Sequence, residues 1–293
     1  MSLLDKIAYT NPAFLELDAI KLEAERIVNG SDDKLLISHE RLFGNMLENF
    51  WDHRHITSCL KDLFPAARII LVVRKQDELV ESIYKQALQS GYYQRLDSFL
   101  NYRNKAFQDA GDYLGQPNLD VKQLDLHRYV KSYVACFGRQ NLLVLPYELL
   151  RLDQEEFLDK LFAFLEVEPF YPIHNGRENR SYSWMSSHLA LWLNRFAWAE
   201  GDGSRFLQFI PNKPFSSFLK GAPTGRPFDK TLRAINRSLT LRHLLQDGLD
   251  KVVYTNRTLI SARKRAMILA LHQESNSNLD REFDLDLHRF GYY

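Results

Sequence analysis

The residues best suited to chemistry gather around Arg74. The apolar run Arg68-Ile-Ile-Leu-Val-Val stops at Arg74, and Ser82 follows eight residues later. An arginine supplies a planar, two-pronged donor and a serine a hydroxyl, a combination that suits a phosphate. Between them Lys75-Gln76-Asp77 turns the chain, with Asp77 placed as an N-cap and Glu78 in the first turn of a helix. Such a helix N-terminus adds unpaired N–H groups and partial positive charge for the same ligand. Taken alone, the pair equally describes an arginine solvating a strand end and a surface serine. Two further clusters, His39-Glu40 and Tyr147-Glu148, also stand just past apolar runs.

The elements that must position these residues can be read from periodicity. Arg68–Val73 is short, β-branched and apolar, as expected of a strand buried on both faces of a parallel sheet. Lys34-Leu-Leu-Ile-Ser38 and Asn141-Leu-Leu-Val-Leu have the same character. Helical spacing follows the central run at Leu79, Val80, Ile83, Tyr84 and Ala87. It appears again over Leu42–Leu60, Asp125–Phe137, Met185–Ala199, Lys230–His243 and Thr258–Glu282. Asp153-Gln-Glu-Glu156 reads as a capping box ahead of Phe157, Leu158, Leu161, Phe162 and Leu165. Strands joined through helices predict an α/β fold, a mostly parallel sheet flanked by helices, with a largely helical C-terminal part. Residues 1–293 read as one domain, with a glycine- and proline-rich, lid-like loop at about 201–229. Ligands of such sheets sit outside the carboxyl ends of the strands. That rule alone would gather His39, Glu40, Arg74, Tyr147 and Glu148 on one rim.

Composition narrows the function. Lys+Arg 38 against Asp+Glu 37 lacks the basic excess of a nucleic-acid binder. The two cysteines, Cys59 and Cys136, are too few for a disulfide framework or a zinc site, and they fit a reducing compartment. No apolar run is long enough to span a membrane, and Met1-Ser-Leu-Leu-Asp-Lys lacks the regions of a signal peptide. The expectation is a cytoplasmic protein that binds no nucleic acid.

Three of these segments together resemble the sulfotransferases, which move a sulfuryl group from 3′-phosphoadenosine 5′-phosphosulfate (PAPS). Ile69-Ile-Leu-Val-Val-Arg74 with Ser82 is similar to the family's 3′-phosphate motif. Val144-Leu-Pro-Tyr-Glu-Leu-Leu150, with the helix after it and Val167-Glu-Pro169, resembles the family's strand-Tyr-Glu unit, whose tyrosine lies near the adenine. Leu35-Leu-Ile-Ser-His39 resembles the strand that delivers the catalytic base. Glu274-Ser-Asn276 and the closing Phe290-Gly-Tyr have the character of bacterial carbohydrate sulfotransferases. The resemblance implies a P-loop-like sulfotransferase architecture and transfer from PAPS, without a metal, to a hydroxyl of a small-molecule or carbohydrate acceptor. It implies Arg74, Ser82 and Tyr147 as nucleotide-binding residues and His39 or Glu40 as the base. Asn179-Arg180-Ser181 reads as a solvated loop, and Arg263-Lys264-Arg265, similar to a basic triplet that holds the 3′-phosphate in some members, as a solvated helix face. The family's Lys-x-Gly-Thr-Thr type loop for the 5′-phosphosulfate has no counterpart before Lys34. A catalytically impaired relative that binds a nucleotide or a partner is therefore the alternative. A nucleotide-sugar glycosyltransferase is a third reading, with Asp284-Leu-Asp286 its poor candidate for a metal-binding pair.

Overall fold

The computed structural model describes residues 3–30, 34–109, 118–171, 181–198, 210–211, 244–253 and 257–293. The chain divides into two compact units. One comprises Met1–Gln76, Lys122–Ile173 and Ile268–Tyr293, the other Asp77–Val121 and His174–Met267. The expected lid at 201–229, the helix Lys230–His243 and Asn179-Arg180 fall outside the described residues, apart from the strand pair noted below.

The first unit is built on two parallel strands, Ile69–Val73 and Leu142–Pro146, in register from Ile69↔Leu142 to Val73↔Pro146. Leu71, Val73, Leu142, Val144 and Leu145 are buried in its core. The helices His53–Leu63, Leu126–Phe137 and Gln154–Leu165 add Ile56, Tyr133 and Phe157 to that core. The C-terminal helix Ala262–Phe283 and the tail after it contribute Leu279, Leu285, Phe290 and Tyr292. The sheet is thus α/β and parallel, but small. Val72 is half-exposed, so the central strand is not covered on both faces by the described residues. Lys34–Ser38, expected as a third strand, forms none. Leu35 and Leu36 are 50% and 65% exposed. Lys34 Nζ instead donates to the carbonyls of Leu165 (2.7 Å) and Glu166 (2.8 Å), neutralising the C-terminal end of the Gln154–Leu165 helix.

The expected helix Leu42–Leu60 is broken. Two 3₁₀ turns, Glu40–Phe43 and Met46–Glu48, precede the helix proper at His53. Gly44 at φ +120° and Asn49 and Phe50 at φ 58° and 56° cannot continue a right-handed helix. A Cβ at Gly44 would lie 2.9 Å from Asp52 Oδ1, and that same oxygen accepts from the Asn45 amide at 2.7 Å. Capping follows the sequence at Asp153, which accepts from Glu156 N at 3.0 Å; Asp125 accepts from Arg128 N at 2.9 Å in the same way.

In the second unit, the helix Gln76–Gln89 buries Val80, Ile83, Tyr84, Ala87 and Leu88. The short helix Leu96–Phe99 gives way at Asn101 (φ 50°) to a hairpin, Tyr102–Arg103 with Ala106–Phe107. Its two turn residues, Asn104 and Lys105, both have positive φ, as a tight hairpin of this twist requires. The helix Trp184–Leu193 ends sooner than its pattern suggests, at Asn194, whose amide donates to the carbonyls of Leu88 (2.7 Å) and Tyr92 (2.8 Å). Ala197–Trp198 and Ile210–Pro211 make a further two-residue strand pair.

Candidate functional site

The parallel register that ends at Val73↔Pro146 brings the next residues, Arg74 and Tyr147, together. The Arg74 guanidinium carbon stands 4.9 Å from the centre of the Tyr147 ring, a cation–π contact that leaves the planar fork at the strand ends. Both side chains are partly exposed.

The turn beneath them is fixed by Glu148, which is 5% exposed. One carboxylate oxygen accepts from the Lys75 amide at 3.0 Å and the other from the Tyr292 hydroxyl at 2.6 Å. Beside it Gln76 and Asn276, both fully buried, exchange reciprocal amide bonds of 2.7 and 3.0 Å. Asn276 also donates to the Tyr292 carbonyl at 3.0 Å, and Gln76 to the Leu124 carbonyl at 3.4 Å. Buried polar groups demand partners. Here they find one another, so a single network locks both strand ends and the C-terminal tail. Glu148 is visible in the sequence beside Tyr147, but its task as a brace is not. The Gln76–Asn276 pair, 200 residues apart, carries no local signal at all.

His39 and Glu40 lie in the same unit, at the start of the first 3₁₀ turn. His39 Nδ1 accepts from the Arg41 amide at 3.2 Å, so in the neutral ring the hydrogen is on Nε2, 3.4 Å from Asp5 Oδ1. Both ring nitrogens are therefore engaged. Glu40 is exposed, and its carboxylate has no partner among the described residues. His53, the first residue of the next helix, is buried, with Nδ1 2.8 Å from the Phe43 carbonyl and Nε2 2.7 Å from Ser132 Oγ. Burial lowers its pKa, against the opposing effects of the Phe43 carbonyl and Asp52. The rings of Phe43, Tyr129 and Tyr133 surround it.

Ser82 belongs to the second unit, half-buried on the Gln76–Gln89 helix. The acids around it are not solvated. Asp77, expected to cap the helix, lies within it and pairs with Arg265 Nη1 at 2.7 Å. Glu81 pairs with Arg265 Nη2 and, at 3.0 Å, with Lys85. Arg265 and Lys264 are thus not part of a solvated face: Lys264 pairs with Asp97 and sits 4.5 Å from the Tyr102 ring centre. The reason is electrostatic, since two buried carboxylates one helical turn apart require a cation between them.

Among the described residues no group of three or more histidine, cysteine, aspartate or glutamate side chains is gathered as a metal would need. No described helix is long and apolar enough to cross a membrane. A family model described as the sulfotransferase domain matches residues 34–196. No curated protein and no solved structure gives a significant match.

Proposed function

Since the chain belongs to the sulfotransferase domain family, we propose that it transfers a sulfuryl group from PAPS to a hydroxyl of a carbohydrate acceptor. One observation carries this reading above the family level: the contact of Arg74 with Tyr147 joins the arginine of the 3′-phosphate motif to the tyrosine of the strand-Tyr-Glu unit. In this reading Arg74 holds the 3′-phosphate by charge-assisted bonds, and Tyr147 packs by the adenine. The acceptor oxygen attacks sulfur while a base takes its proton, and the bond from sulfur to the nucleotide's 5′-phosphate breaks. Glu40, exposed at the start of the Glu40–Phe43 turn, is the candidate base in this reading. His39 can share the role only after surrendering its bond from the Arg41 amide.

Adenosine 3′,5′-bisphosphate (PAP) is expected to raise the melting temperature, adenosine to leave it unchanged, and Arg74→Ala to remove most of the shift. Equal stabilisation of wild type and Arg74→Ala would end the assignment. Transfer of radiolabelled sulfate to a carbohydrate panel tests the chemistry. Glu40→Gln should lower turnover by roughly 10²–10⁴-fold with PAP affinity retained. If His39 is the base, His39→Ala shows that loss instead, and near-normal turnover in both removes this loop from the reaction. The engagement of both His39 nitrogens favours a second reading, a nucleotide-binding relative of low activity. PAP binding without transfer would select it.

A further inference from the structure

The described residues of the second unit enclose a cleft of about 400 Å³. Leu96, Leu191 and Leu259 give it an apolar lining, and Tyr84, Arg95, Asp97, Ser98, Ser187 and His188 supply its polar groups. What such a cleft can bind depends on which of those groups still have a hydrogen to offer.

Most do not. The Tyr84 hydroxyl donates to the Gln94 carbonyl at 2.9 Å, and burial pushes its pKa well up, so it keeps its proton. The Ser187 hydroxyl donates to the Ser183 carbonyl at 2.7 Å. His188 Nδ1 lies 2.8 Å from the Trp184 carbonyl. A carbonyl only accepts, so Nδ1 holds the hydrogen and Nε2 of the neutral ring keeps a lone pair. The Trp184 ring, 4.1 Å from the His188 ring, steadies that orientation. Asp97 is an acceptor whatever its geometry, and its pairing with Lys264 offsets its charge while leaving lone pairs over. Tyr84, Asp97 and His188 therefore present acceptors, while the Ser187 hydroxyl is buried. Arg95 is the fixed donor, and the Ser98 hydroxyl can serve either way.

A cleft of this kind selects a ligand rich in O–H donors with an apolar face, and disfavours sulfate, which brings only acceptors. We propose that it binds a neutral, hydroxyl-rich saccharide unit. Its volume lies within the roughly 300–1,000 Å³ of small-molecule sites. Sugar hydroxyls meet Tyr84, Asp97 and His188, the sugar's C–H face lies on the leucines, and Arg95 donates to a ring or hydroxyl oxygen. That the saccharide is part of the acceptor rests on the sulfotransferase reading; its binding does not.

The test uses the 293-residue chain with cellobiose and lactose as probes, followed by saturation-transfer NMR and calorimetry, with inorganic sulfate as the anionic control. At least one disaccharide should bind and sulfate should not compete. His188→Ala and Asp97→Asn, both at exposed positions, should each weaken binding about three- to tenfold or more, as loss of one acceptor implies. The PAP-induced thermal shift, measured on the same variants, should not change, which also verifies that they are folded. Failure of both disaccharides to bind, or equal affinity in wild type and both variants, overturns the proposal. A missing PAP shift beside intact saccharide binding would instead count against the sulfotransferase reading alone.

Discussion

Arg74 would be an ordinary strand-end arginine without Glu148. A carboxylate that accepts from the Lys75 amide and the Tyr292 hydroxyl holds the turn from which Arg74 projects. Glu148→Ala leaves a part-buried N–H and a buried O–H unpaired, at about 1–3 kcal/mol each. Urea unfolding should therefore show a loss of roughly 2–5 kcal/mol, with a smaller loss for Tyr292→Phe, where only the hydroxyl goes. A Glu148→Ala variant as stable as wild type would show that water replaces the brace. His53 gives a pH-dependent counterpart. Its folded pKa is lowered, whereas an unfolded histidine titrates near 6.5. Below about 6.5 the unfolded chain thus binds more protons than the folded one. The stability due to neutral His53 is complete above that pH and is lost as pH falls towards the folded value. Glu282, held low by its bond from His127, acts only in the more acid carboxylate range. Between pH 7.5 and 5.5 the wild type should lose more stability than His53→Gln. Equal losses would trace the acid sensitivity to another group.

At the scale of the element, the helix Gln76–Gln89 is held by charge as well as by its apolar stripe. Asp77 and Glu81 are 3% and 7% exposed, and Arg265 spans both. Removing one partner from a buried ion pair costs more than removing all of them, because the survivors stay desolvated. Arg265→Gln should destabilise by about 1–3 kcal/mol, reduced from the fully buried case because the arginine is partly in solvent. Adding Asp77→Asn and Glu81→Gln should recover part of that, but not all, because Lys85 then loses Glu81 as its partner. A triple variant no better than Arg265→Gln would mean that arginine packing, not charge, holds the helix. The loop bearing His39 and Glu40 has a steric counterpart. Gly44→Ala combines a positive φ with a 2.9 Å approach to Asp52 Oδ1. It should cost about 1–3 kcal/mol by thermal unfolding, and an unchanged melting temperature would show that the turn relaxes freely.

For the molecule as a whole, the matched family region ends at residue 196, yet the first unit is completed by residues 268–293. Phe290 and Tyr292 are 8% and 0% exposed, in the same core as Val73 and Val144. Tyr292 also terminates the polar network at the strand ends. Deleting Asp284–Tyr293 should therefore remove near-UV circular dichroism and the PAP-induced shift, although every proposed nucleotide contact remains. Each large core side chain lost costs about 3–5 kcal/mol, which a handful of such losses makes intolerable for a domain of ordinary stability. A truncated chain with wild-type unfolding would show that the tail is dispensable.

The sequence by itself determined what depends on neighbours in the chain. The Ile69–Val73 strand, the helix stripe from Val80 to Ala87 and the Asp153 cap rest on residue type, period and short-range hydrogen bonds. The motifs that point to the sulfotransferases are local in the same sense. Only the tertiary structure decided what depends on distant partners. Lys34–Ser38 has the composition of a strand, but no ladder partner takes it up among the described residues, and its lysine serves a helix end instead. Arg263-Lys264-Arg265 has the look of a solvated helix face, and two of its three cations are spent on Asp77, Glu81 and Asp97. Gln76 and Asn276 are unremarkable polar residues until burial obliges each to find the other. Propensity is written within a few residues, whereas the pairing of buried charges and amides is settled by which surfaces meet.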